Sequence, residues 1–262
     1  MAKIALGIQY DGRSFSGWQR QRHAASVQQS LEQSLSEIAD EDVTVYCAGR
    51  TDSGVHAVAQ VVHFETQKQR PLRAWQMGTN SRLPREVAVN WALEVDPRFH
   101  ARFSAQARTY QYIIANQSSR PALWAGRVTW ETRPLAASTM HQAAQYWLGE
   151  HDFAAFRAAA CQSNSSYRFV ESISVERNAD YVVMKVCANA FLHHMVRNMV
   201  GVLLEIGVGD RGQDWALEVL ASKNRQMAGK TAPPDGLYLA AVRYPADFGI
   251  PNSDISFPAF SN

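Results

Sequence analysis

Cysteine is scarce in this 262-residue chain: Cys47, Cys161 and Cys187 are an odd number, widely spaced, with no C-x-x-C pair. That spacing excludes a disulfide scaffold and a zinc knuckle, and the three thiols are expected to be reduced. Long apolar runs are missing as well. Stretches such as Val200 to Leu204 fall far short of the roughly eighteen residues a membrane helix needs. Met1-Ala2-Lys3-Ile4 runs into strand-like sequence without a secretory apolar region, so a cytoplasmic location with no membrane partner is expected. Lysine is also rare, at 5 of 26 cations, the other 21 being arginine. Low-complexity character is absent: 15 Gly, 10 Pro, 46% hydrophobic and 19% charged residues are ordinary values for a folded chain.

A chain of this length makes one large domain or two of about 130 residues, and buries about 70 to 75% of its surface. Its net charge of +2 hides a pattern. Residues 1–30 carry four basic and one acidic residue, 31–65 one and seven, 66–133 eleven and four, and 134–262 ten and twelve. The middle is basic, and its cations are nearly all guanidinium forks, which bind phosphate bidentately and stack on bases where ammonium does not. A phosphate-rich partner is therefore favoured over a merely solvated basic surface.

Lys3 to Tyr10 alternates as a strand and ends at Asp11-Gly12. Ser26 is an expected N-cap for an amphipathic helix on which Val27, Leu31, Leu35 and Ile38 recur, ending near Asp40. Strands are predicted over 43–48 and 58–65 with a tight loop at 49–54 between them, then a helix from Pro71 to Arg82 and a strand over 87–95. The order βαββαβ suits a ferredoxin-like lobe. A second lobe is predicted from a strand at 107–116, a helix at 138–148, a hairpin of 169–176 with 181–187, a long helix at 191–207 and a strand at 239–244. The fold class expected is α/β of the α+β type, with lobes over 1–105 and 106–250 and a tail over 251–262.

Five stretches carry chemistry. Ala48-Gly49-Arg50-Thr51-Asp52-Ser53-Gly54-Val55-His56-Ala57 is a polar loop between apolar strands, the position where catalytic groups tend to lie. Arg50 beside Asp52 favours an ionised carboxylate at neutral pH, whereas the local alternative is an Asx turn. In Phe191-Leu192-His193-His194-Met195-Val196-Arg197-Asn198-Met199, helical spacing sets His193 with Arg197 and His194 with Asn198. Adjacent histidines point about 100° apart on a helix, and no H-E-x-x-H supports a metal. Arg108-Thr109-Tyr110-Gln111-Tyr112-Ile113-Ile114 puts two tyrosines on one strand face, able to stack a base or to sit half-buried in a sheet. Ala232-Pro233-Pro234-Asp235-Gly236-Leu237-Tyr238-Leu239 is a rigid turn into a strand, and Tyr10-Asp11-Gly12-Arg13-Ser14-Phe15-Ser16-Gly17-Trp18-Gln19-Arg20 mixes Arg, Gly and aromatics in a way that favours RNA contact.

In this order the five stretches closely resemble the bacterial tRNA pseudouridine synthase A family, over nearly the whole chain. The specific signatures are G-R-T-D-x-G-V-H-A, Y-D-G-x-x-F-x-G-W-Q, R-T-Y-x-Y-x-I, F-L-x-x-M-V-R-N-M and A-P-P-x-G-L-x-L, with no departure at a motif position. The resemblance implies a mixed, mainly antiparallel sheet flanked by helices (the pseudouridine synthase fold) and a homodimer. It implies isomerisation of uridine to pseudouridine at positions 38, 39 and 40 of the tRNA anticodon arm, with no cofactor and no metal. It makes Asp52 the catalytic aspartate, Tyr110 the ring that stacks on the target base, Arg197 the partner of the aspartate, Arg50 a substrate-side base and Leu237 an apolar wall of the pocket. The 66–133 segment and Arg13, Arg20 and Arg22 would then grip the tRNA backbone.

Two other functions use the same residues. A non-catalytic RNA-binding module would bind tRNA and leave uridine unchanged. A metal-dependent hydrolase would gather His56, His63, His193 and His194 around a metal, with Asp52 as base.

Overall fold

A computed structural model describes residues 1–251, so the expected tail from residue 252 lies outside the described residues. In chain order the strands and helices are β1 (Ala2–Tyr10), α1 (Val27–Ala39), β2 (Tyr46–Cys47), β3 (His56–Thr66), β4 (Val87–Glu94), β5 (Ala107–Asn116), β6 (Thr129–Glu131), α2 (Ala137–Ala144), β7 (Gly149–Asp152), β8 (Tyr167–Asn178), β9 (Tyr181–Ala188), α3 (Met195–Gly207), α4 (Trp215–Ser222) and β10 (Leu237–Arg243). They divide into two units. Unit one holds Met1–Arg108 and the described chain from Tyr238 onward; unit two holds Thr109–Leu237. The sequence suggested two contiguous lobes, but β10 pairs in parallel with β3, Tyr238 opposite His56 and Leu239 opposite Ala57, which returns the last strand to unit one.

Unit one is a mixed, mainly antiparallel sheet in the order β4-β1-β3-β10, with β2 also paired to β3. Ser26 caps α1 as expected by accepting a hydrogen bond from the Gln29 amide, and Asp40 ends it with a left-handed φ of 53°. Val27, Leu31 and Leu35 supply its buried face. The strand expected over 43–48 shrinks to two residues because side chains of α1 take its backbone donors: Val43 N donates to Ser36 Oγ and Val45 N to Glu32 Oε1. The expected 71–82 helix is a short helical segment widened into a π turn over Ala74–Gly78, and its Trp75 packs edge-on against Phe64 of β3.

Unit two carries the order β5-β9-β8-β7, with β6 on β5. The β8–β9 hairpin turns after Asn178, as its sequence predicts. Trp147, Phe153 and Phe156 form an aromatic core, and the Trp147 indole donates to the Ala216 carbonyl of α4. The long helix starts later than its apolar periodicity suggests. His194 sits at φ 62°, a conformation that cannot continue a right-handed helix, so α3 begins at Met195 and His193 lies exposed outside it. His193 therefore shares no helix face with Arg197. Among the described residues no helix is long and apolar enough to cross a membrane.

Candidate active site

In unit one the residues between β2 and β3 are fastened on both sides of Asp52. Gln60 of β3, fully buried, holds Gly49 in both directions: its amide donates to the Gly49 carbonyl at 2.6 Å, and Gly49 N donates to Gln60 Oε1 at 3.2 Å. Thr51 hydrogen-bonds Tyr10 through their hydroxyls at 2.7 Å, and its carbonyl accepts from Trp18 N at 3.0 Å. Beyond Asp52, Ser53 Oγ and Gly54 N both donate to the Phe15 carbonyl, and Val55 N donates back to Asp52 O at 3.1 Å. The partner loop must approach closely. Gly17, at φ +95°, puts the position of any Cβ 2.8 Å from the Thr51 oxygen, so a side chain there would push the Asp52 turn away.

These anchors are neutral groups; Thr51, Val55 and His56 are buried, Asp52 half-buried and Arg50 exposed. Behind it, Arg13 forks onto Asp11; burial opposes ionisation there, yet these hydrogen bonds hold the Asp11 carboxyl at about 2. The Gly12 amide donates to His56 Nδ1 at 3.1 Å, which makes that nitrogen an acceptor and leaves the ring proton on Nε2. Asp11 Oδ1 also approaches the same nitrogen at 3.4 Å. At the far end of β3, His63 Nδ1 likewise accepts the Ala101 amide. Seven residues of strand separate the two rings by about 23 Å, so His56 and His63 do not share one ion.

Unit two holds Tyr110, Arg197 and Leu237. Tyr110 lies on β5 with Phe191 edge-on to its ring at 5.0 Å. Arg197, in the first turn of α3, donates from Nε to the Ala232 carbonyl at 2.8 Å, and Ala232 N donates back to Arg197 O. Gly201, one turn on, has no room for a methyl group: a Cβ would stand 1.9 Å from Lys230 O. Its absence lets the 230–237 segment lie directly on α3. That segment then meets β5, where Tyr112 donates to the Pro233 carbonyl and Ile113 N to Gly236 O, and it delivers Leu237 buried at the start of β10. Tyr112, expected to share a stacking face with Tyr110, is instead a fully buried strut bonded to Thr129, and burial pushes its phenol up.

The family model described as tRNA pseudouridine synthase matches residues 7–104 and 143–245. The chain belongs to the tRNA pseudouridine synthases. It is similar to tRNA pseudouridine synthase A of Haemophilus ducreyi, 52% identical over 96% of each chain, and to that of Haemophilus influenzae strain Rd, 53% identical over 97% of this chain and 94% of the relative. A solved archaeal box H/ACA sRNP Nop10-Cbf5 complex aligns with a TM-score of 0.33 at 12% identity, over 78% of this chain and 43% of that one.

As a tRNA pseudouridine synthase the chain is an isomerase, and its site contains supports that motif reading does not reach. Gln60 is the main one, an uncharged residue in the middle of a strand whose only sequence signal is a polar side chain in an otherwise apolar run. The Tyr10–Arg20 loop supplies further support. Tyr10, Phe15 and Trp18 are buried, Trp18 to 2% exposure, and they brace the Asp52 loop instead of facing solvent. Arg13 is committed to Asp11 and Arg20 reaches Glu32 at 2.5 Å.

Proposed function

We propose that the chain isomerises uridine to pseudouridine at positions 38, 39 and 40 of the anticodon stem-loop of tRNA, as a homodimer in the cytoplasm, with Asp52 as its catalytic carboxylate. The reaction breaks N1–C1′, turns the base and joins C5 to C1′; the C5 proton leaves and N1 ends protonated. Electrons balance within the nucleoside, and the work left to the protein is to hold the base and to place one carboxylate. Asp52 serves either as a nucleophile on the base or sugar or as a base at the ribose C2′.

The observation that carries this reading is the double anchoring of the loop: backbone and neutral side-chain bonds fix Gly49, Thr51, Ser53 and Gly54 around a half-buried Asp52. A carboxylate so held needs little reorganisation when a nucleoside arrives. Extruding the uridine costs a few kcal/mol, and stacking on Tyr110 returns about 1 to 3 kcal/mol. In this reading Arg197 pairs with the aspartate, Arg50 faces the RNA and Leu237 closes the apolar side of the pocket.

The test is Asp52→Asn, followed by tritium release from C5-labelled uridine in tRNA and by mapping of pseudouridine. The expected variant binds tRNA and releases no tritium. Turnover at the wild-type rate would remove Asp52 from the chemistry, and a wild-type protein that binds tRNA without forming pseudouridine would leave only an RNA-binding module.

A further inference from the structure

Unit one displays a second feature that the catalytic loop does not use. The turn following Phe99 is built around the His100 imidazole, whose Nδ1 accepts the amides of Arg102 and Phe103, while Ser104 and His100 bond each other. This small cage pushes Arg102 and Phe103 outward, and Phe103 is 75% exposed with the Arg102 guanidinium 5.4 Å from its ring centre. Beside it the rings continue: Phe103 lies 4.4 Å from His100, His100 lies 5.5 Å from Tyr46, and Tyr46, itself about half exposed, stacks at 5.2 Å on the buried His63. An exposed phenyl ring on a rigid, multiply bonded turn is not the filler of a loose loop.

Several guanidiniums stand close to this strip. Arg50, Arg102 and Arg108 all act on the Cys47 thiol next to Tyr46, although burial dominates there and pushes that thiol up to about 12. Arg108 is tied to the Ala48 and Arg102 carbonyls, which fixes the turn to the strand leading into the catalytic loop. Among the described residues neither Arg50 nor Arg102 has a carboxylate within ion-pair distance. Burial, with Lys3 nearby, also holds the two histidines below their usual range, against an opposing pull of Glu65 on His63. Rings open on one side, flanked by the Arg50 and Arg102 guanidiniums, match the face and the backbone charge of single-stranded nucleic acid.

We infer that Phe103, with Tyr46 and Arg102, forms a stacking platform for an unpaired base of the tRNA other than the target uridine. The inference rests on tRNA being the substrate and adds a contact outside the catalytic loop. A base stacked on Phe103 would place its 5′ or 3′ phosphate within reach of Arg102, and RNA continuing from there would follow Tyr46 toward Arg50. The platform would help to set which nucleotide arrives at Asp52.

The test compares Phe103→Ala, Phe103→Leu and Phe103→Trp by affinity for an unmodified tRNA transcript, by kcat/KM for pseudouridine formation, and by sedimentation. Loss of a stacked base lowers affinity by about fivefold to a hundredfold. Ala and Leu should both lose it, Trp should restore it, and the melting temperature should barely move because the ring is exposed. Equal tRNA affinity in all four proteins overturns the inference, as does recovery by Leu, which would mean apolar contact without stacking. A change in oligomeric state with unchanged RNA affinity would assign the ring to a second copy of the chain and also overturn it. Asp52→Asn reports independently on the catalytic reading, so the two fail separately.

Discussion

Replacing Gln60 by leucine removes the clamp on Gly49 and preserves side-chain volume closely enough that packing is not the variable. The structure sets the magnitude. The amide makes two good bonds to Gly49, one donated at 2.6 Å and one accepted at 3.2 Å, and a longer 3.4 Å contact to the Tyr10 hydroxyl. Leucine leaves both Gly49 groups unpaired in a largely enclosed place, at about 1 to 3 kcal/mol each, or about 2 to 6 kcal/mol together. For a chain of this size that lowers the melting temperature by roughly 4 to 24 °C. Activity should suffer more than binding: the loop keeps its Thr51 and Phe15 contacts but loses its first anchor, and misplacement of a reacting group by about 1 Å costs on the order of a hundredfold. The assays are thermal melting, tRNA affinity, and single-turnover pseudouridine formation at a temperature where the variant is folded. Gln60→Glu is the matched control, since it keeps the acceptor for Gly49 N but sets an oxygen against the Gly49 carbonyl, and it should be nearly as impaired. If the leucine variant melts within a degree or two of wild type and reacts at the same rate, the clamp does not position the loop and the reasoning fails.

Two further outcomes follow from crowding and from protonation. Gly201→Ala forces a methyl carbon to within 1.9 Å of the Lys230 carbonyl; relief requires backbone movement, so melting should show a loss of about 1 to 3 kcal/mol, and kcat should fall with displacement of Ala232 and Leu237. A variant that melts like wild type would show that α3 does not seat this segment. Burial, with His100 and Lys3 nearby, depresses His63 to about 4, while an unfolded imidazole protonates near 6.5. Stability is therefore intact above about pH 6.5 and declines as the pH falls toward 4, by up to about 3 kcal/mol from this group. His100, shifted in the same direction, adds to this decline, whereas Asp11, held at about 2, acts only at lower pH. His63→Gln should flatten the decline in a series of melts, and an unchanged slope would contradict the assignment.

The elements legible in the sequence are those whose signals are local. Ser26 and Asp40 bracket α1 because a cap and a left-handed stop are decided by the residues themselves, and the β8–β9 hairpin is legible from alternation on both sides of one turn. What was not legible depends on partners far along the chain. Val43 and Val45 have strand-like spacing, yet their amides go to α1. Phe191 extends an apolar period that the left-handed His194 interrupts. The parallel pairing that returns β10 to unit one joins residues about 180 apart and has no local signature. At the site, the loop bearing Arg50 and Asp52 is marked by its own composition. The role of Trp18 is not: a Trp in an Arg- and Gly-rich loop looks like an RNA contact until its burial beneath the Asp52 turn is seen.

The choice of anchors bears on how the catalytic proposal can be tested. The backbone of the loop is held by groups other than the Asp52 carboxylate. Here the fastening comes from Gln60, Tyr10, Thr51, the Trp18 amide and the Phe15 carbonyl, all neutral and most of them buried. The Asp52 backbone oxygen also accepts from Val55 N, a bond that asparagine retains. Buried neutral bonds change little with pH near neutrality or with salt, whereas exposed ionic contacts are screened. Asp52→Asn therefore alters the charge at the turn while these supports persist, so loss of turnover with retained tRNA binding and an unchanged melt would report on the carboxylate itself.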